Sequence, residues 1–143
     1  MNVTTSNDQE TVKIYPDNHT TLLSSQAQEF RGAYQLMNSN QLQVRSRQRN
    51  LITEEFKEFL EAEARIYLSS NKNKEDCLKE LADLVYVCYQ YAVNMGWDLD
   101  EAMFRVHQSN MSKLDDEGKP IYRKDGKVLK GPNYKPPNLE DLV

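Results

Sequence analysis

The chain has 143 residues, 38% hydrophobic and 28% charged, a balance that predicts one soluble globular domain with a single core. A net charge of −4 and a pI near 5.2 argue against a nucleic-acid partner, which would require a basic excess. No apolar run approaches the ~20 residues that span a bilayer, which argues against a membrane protein. Met1 to His19 lacks the basic start and apolar stretch of a secretory signal, so a cytoplasmic location is expected.

Residues 1–20 read as a flexible arm, 21–115 as a helical domain, and 116–143 as a hairpin followed by a proline-rich tail. The spacing of Ala27, Phe30, Tyr34 and Met37 predicts a first helix over Ser24 to Met37, broken by Asn38-Ser39-Asn40. A second helix is predicted from Gln41 to Leu68, its inner stripe set by Leu51, Ile52, Phe56, Phe59 and Leu60.

After a polar turn at Ser69 to Asn73, with Asn73 as its cap, a third helix is expected from Lys74 to Met95. It is apolar on nearly every side, which places it in the middle of a bundle, and Gly96 stops it. Cys77 and Cys88 lie within this helix, roughly 16 Å apart at 1.5 Å per residue, so both should be free thiols. Asp98, with Glu101 three residues on, predicts a capping box that opens a fourth helix, with inner residues Leu99, Ala102, Met103, Val106 and Leu114.

Beyond Asp115, Ile121-Tyr122 and Val128-Leu129 flank Lys124-Asp125-Gly126-Lys127, a hairpin signal. The segment Gly131 to Val143 contains three prolines and should run extended across the bundle or a partner subunit.

Two short patterns carry the chemistry. Glu55-Phe56-Lys57-Glu58 lies on the second helix and Glu80-Leu81-Ala82-Asp83 on the third, and residues three apart on a helix share a side. Glu54 and Glu61 fall further toward solvent, whereas Glu80 and Asp83 interrupt an apolar surface on which Asn94 follows three turns later. Burying several carboxylates without a partner would cost many kcal/mol or force protonation. No matching set of Arg or Lys shares those positions, so a hard divalent cation with oxygen ligands is the simplest way to neutralise them. Capping of a neighbouring loop, or pairing with Lys113 or Arg105, would be structural alternatives.

Glu-x-x-Glu followed at this distance by Glu-x-x-Asp resembles the signature of the all-α NTP pyrophosphatases. That group includes MazG, the dimeric dUTPases, the dCTP pyrophosphatases and phosphoribosyl-ATP pyrophosphohydrolase. The wording Glu54-Glu55-Phe56-Lys57-Glu58 and Lys79-Glu80-Leu81-Ala82-Asp83-Leu84 is similar to the MazG branch. Asn110-Met111-Ser112-Lys113-Leu114, the hairpin and Gly131-Pro132-Asn133-Tyr134-Lys135-Pro136-Pro137 resemble the compact MazG-like proteins of bacteria and their phages. The resemblance covers about residues 25 to 143.

It implies an all-α fold of the four-helix-bundle type and an enzyme that hydrolyses a (d)NTP to the monophosphate and pyrophosphate, in nucleotide-pool control or house-cleaning. Glu55, Glu58, Glu80 and Asp83 would be the catalytic ligands of Mg²⁺, with Mn²⁺ as a substitute. Asn110 and Lys113 would reach the substrate phosphates, with Asn94 a further substrate-binding residue; Phe30 and Tyr34 are candidates for the surface under the base, with core packing as their alternative role. A homodimer or homotetramer is implied, in the host cytoplasm if the chain is phage-encoded. Phosphoribosyl-ATP hydrolysis is the reaction of a relative, and the resemblance favours nucleoside triphosphates over it.

Two other readings compete. A carboxylate-bridged di-iron bundle needs Glu-x-x-His pairs, but Pro16 and Phe104 stand three residues before His19 and His107. A non-catalytic helical interaction module would leave the acids as a solvated stripe.

Overall fold

The computed structural model describes residues 22–68 and 71–143, so the expected arm at 1–20 lies outside the described residues. The described residues form four α-helices: α1 Leu23–Ala33, α2 Leu42–Glu63, α3 Asn71–Met95 and α4 Leu99–Met111. Short 3-10 turns occupy Ile66–Leu68 and Glu140–Leu142, and no β-strand occurs among the described residues.

The ends of the helices follow local chemistry. α1 stops at Ala33, short of the expected Met37, because a Schellman turn closes it. Gln35 N–H donates to Gly32 O at 3.1 Å and Leu36 N–H to Arg31 O at 2.8 Å, with Gln35 held at φ +53°. The same motif ends α3, where Gly96 sits at φ +74° and Trp97 N–H reaches Ala92 O at 2.9 Å.

Asn73 is inside α3 rather than its cap, and its side-chain amide donates to Arg65 O at 3.0 Å. Asp98 caps α4 by accepting from Glu101 N–H at 3.0 Å. Only half of the predicted box forms, because the Glu101 carboxylate accepts from Arg105 at 2.8 Å and Asp98 N–H donates to Leu142 O at 3.2 Å.

The expected hairpin is not built as two strands. Residues 121–129 make one isolated antiparallel bridge, Tyr122 to Val128, around a turn with Gly126 at φ +85°. The Asp-Gly signal specifies the turn, but two short apolar pairs give too little area to extend pairing beyond it. The tail packs along α4. Ser109 Oγ donates to Lys135 O at 2.8 Å, Lys135 N–H to Ser112 Oγ at 2.9 Å, and Arg105 Nη1 to Asn138 O at 2.9 Å. At Gly131, where N–H donates to Lys113 O at 2.8 Å, a Cβ would stand 2.6 Å from the carbonyl oxygens of Lys113 and Leu114.

α1, α2 and α3 form the body, with α2 and α3 sharing the most extensive contact. Ala27, Tyr89 and Val93 are its buried centre. α4 meets that body at its first turn, where Leu99 packs on the centre and Asp100 accepts from Ser24 N–H at 3.3 Å.

α3 is therefore covered less than its apolar sequence predicts. Leu78 is 67% exposed, and Leu81 and Val85 are each 41% exposed. On α2 the inner stripe divides: Leu51, Ile52 and Phe59 are half-buried, whereas Phe56 and Leu60 remain exposed.

Candidate metal and phosphate site

Because α2 packs along α3, two carboxylate-bearing faces meet. Glu55, Glu80 and Asp83 each bring one oxygen within 4.8 Å of the others, and all three are partly buried. Glu80 is the most enclosed, with a side chain 17% exposed; its Oε2 is buried and has no hydrogen-bond partner. Burial first, and then the charges of Glu58, Asp83, Glu80 and Glu54, push the Glu55 carboxyl above its usual range.

The local electrostatics differ from the sequence expectation in one respect: a lysine does share the position. Lys79 Nζ lies 2.8 Å from Asp83 Oδ2 and 3.1 Å from Glu80 Oε1, which holds the ammonium strongly in its charged form. The i,i+4 spacing from Lys79 to Asp83 was the available signal. This lysine is 64% exposed and leaves Glu80 Oε2 unpartnered, so it neutralises only part of the cluster. Neither alternative partner takes part: Arg105 pairs with Glu101 and Asp141, and Lys113 Nζ donates to Asn110 Oδ1 at 2.8 Å.

The other predicted residues are distributed more widely. Glu58 is exposed beside Thr53, Glu54 and Lys57, outside the close trio although its charge is felt by Glu55. Asn110 and Lys113 bond to each other on α4. Asn94 is buried at 2% exposure, and both ends of its amide are engaged. Its Oδ1 accepts from Arg31 Nη2 at 3.0 Å and Ser39 N–H at 3.1 Å, while Nδ2 donates to Ser39 O at 2.8 Å. This residue thus clamps the α1–α2 connection onto α3, a role the stripe pattern did not reveal.

Phe30 and Tyr34 stack at 4.4 Å between ring centroids, and Phe30 meets Tyr86 edge-on at 5.7 Å. Tyr86 was not singled out from the sequence, although it follows Asp83 by one helical turn.

Residues 18–110 match the phosphoribosyl-ATP pyrophosphohydrolase family, a span containing the carboxylate trio, the aromatic wall and α1–α3. The chain belongs to that family. No curated protein matches the chain. Membership in the phosphoribosyl-ATP pyrophosphohydrolase family places it within the all-α NTP pyrophosphatases and makes it a hydrolase of a phosphoanhydride bond. The helical architecture agrees with that assignment, and no described helix is long and apolar enough to cross a membrane.

Proposed function

We propose that this protein is a magnesium-dependent, MazG-like pyrophosphohydrolase that cuts a nucleoside or deoxynucleoside triphosphate between its α and β phosphates, in control or cleansing of the nucleotide pool. The observation that carries this reading is the buried, unpartnered Oε2 of Glu80 within a trio of carboxylates. An orphaned anionic oxygen among other anionic oxygens is costly to bury, and a hard dication with an oxygen preference relieves that cost. Glu55, Glu80 and Asp83 would hold Mg²⁺, or Mn²⁺ in its place, with Glu58 on the open flank as a further ligand. Bound there, the metal would offset the polyphosphate charge and acidify an attacking water.

The chain's own groups then divide the work. Glu58, exposed at the flank of the trio, would accept a proton from the attacking water. Asn110 and Lys113, already held together, would bind phosphate oxygens; Phe30 and Tyr34 would support the base. A homo-oligomer is part of the proposal. Leu78, Leu81 and Val85 form an exposed apolar stripe on α3, which a second copy of the same chain would cover.

The family match favours a second substrate, phosphoribosyl-ATP, whose cleavage breaks the same kind of bond. A pyrophosphate-release screen with Mg²⁺ across NTPs, dNTPs, modified nucleotides and phosphoribosyl-ATP separates the two. Asp83→Ala should lose most turnover while keeping its helices; normal turnover of that variant in magnesium would overturn the assignment. A helical interaction module would release no pyrophosphate and show no magnesium-dependent thermal shift.

A further inference from the structure

One helical turn beyond Asp83, α1 and α3 border a shallow, open recess of about 300 Å³ lined by Gln26, Glu29, Phe30, Ala33, Tyr34 and Tyr86. Asp83 and Tyr86 are three residues apart, so they share a side of α3 at roughly 4.5 Å of axial rise. The wall of the recess is aromatic: Phe30 lies against Tyr34 with planes 31° apart and meets Tyr86 at 87°. Besides the hydroxyls of Tyr34 and Tyr86, its polar side chains are Gln26 and the exposed Glu29. Among the described residues, neither Gln26 nor Glu29 has a side-chain hydrogen-bond partner.

We propose that Glu29 selects nucleotides whose base carries an exocyclic amino group, such as cytosine or adenine, over those with a carbonyl oxygen there, such as uracil. This rests on the pyrophosphohydrolase reading above, in which the carboxylate trio fixes the phosphates and the neighbouring recess receives the base. Aromatic faces stack on any base, so they supply affinity without choice. Discrimination must come from the polar edge. An ionised carboxylate only accepts hydrogen bonds; it is matched by the cytosine 4-amino group and opposed by the lone pairs of uracil O4. Gln26 carries both a donor and an acceptor, so it can serve the adjoining edge positions of either base. Glu29 is therefore the group in the recess that can tell the two apart by charge.

The test uses the full chain and its Glu29→Gln variant, an isosteric change whose amide can present either a donor or an acceptor. Pyrophosphate release in Mg²⁺ is measured for dCTP and dUTP, which differ in the group at position 4 and in the proton on N3. Wild type should favour dCTP by about tenfold in kcat/KM, mainly through KM, and the variant should bring the ratio close to one. Binding of dCMP and dUMP without metal is measured in parallel by calorimetry, because it reads the base recess independently of catalysis. Failure of the pyrophosphohydrolase reading would show as no triphosphate cleavage, with the dCMP preference and its loss in Glu29→Gln still present. Equal binding of dCMP and dUMP by wild type, or an unchanged preference in the variant, would overturn the role of Glu29.

Discussion

Lys79 Nζ stands 2.8 Å from Asp83 Oδ2, on the exposed rim of the carboxylate trio. The ammonium occupies part of the same negative potential that a divalent cation would use, so the two compete. Lys79→Met should therefore tighten Mg²⁺ binding by the nucleotide-free protein by roughly two- to fivefold, the scale of an exposed ion pair. The midpoint of a Mg²⁺-dependent thermal shift measures it; weaker binding in the variant would show that Lys79 organises the site instead of competing for it.

The clamp at Asn94 should affect stability. Asn94→Ala strips acceptors from Arg31 and Ser39 N–H and leaves the Ser39 carbonyl without its donor. A buried group left without its partner costs about 1–3 kcal/mol, so a total loss of about 2–4 kcal/mol is expected in urea unfolding. A change below about 0.5 kcal/mol would mean that water replaces the amide without penalty.

At acid pH the C-terminal tail should loosen. Two nitrogens of Arg105 donate to Asp141, at 2.6 and 2.9 Å, and hold that carboxyl below its ordinary range. A depressed folded-state pKa gives stability that is full above the unfolded value, about 3.9, and lost as pH falls through the folded value. Amide exchange over residues 138–142 should rise as pH drops below about 4, after correction for intrinsic rates. Asp141→Asn should abolish that step and leave the segment less protected at neutral pH.

The uncovered stripe on α3 predicts self-association. Placing a charge at Leu81, itself 41% exposed, should shift the sedimentation coefficient toward that of a monomer without unfolding α1–α3. An oligomer unchanged by Leu81→Asp would place the interface on another face.

The sequence by itself determined the order of the four described helices, the Gly96 stop and the carboxylate pattern, though not every helix end. Helical period, glycine conformation and i,i+3 spacing act within a few residues and are written locally. It did not determine which charges meet. Packing of α2 on α3 decided that Glu55 joins Glu80 and Asp83 while Glu58 stays at the flank, and that Asn94 is consumed by Arg31 and Ser39. The tail and the covering of α3 likewise depended on contacts between distant segments. Hydrophobic sequence records that a face must be shielded from water, whereas only the assembled fold decides what shields it.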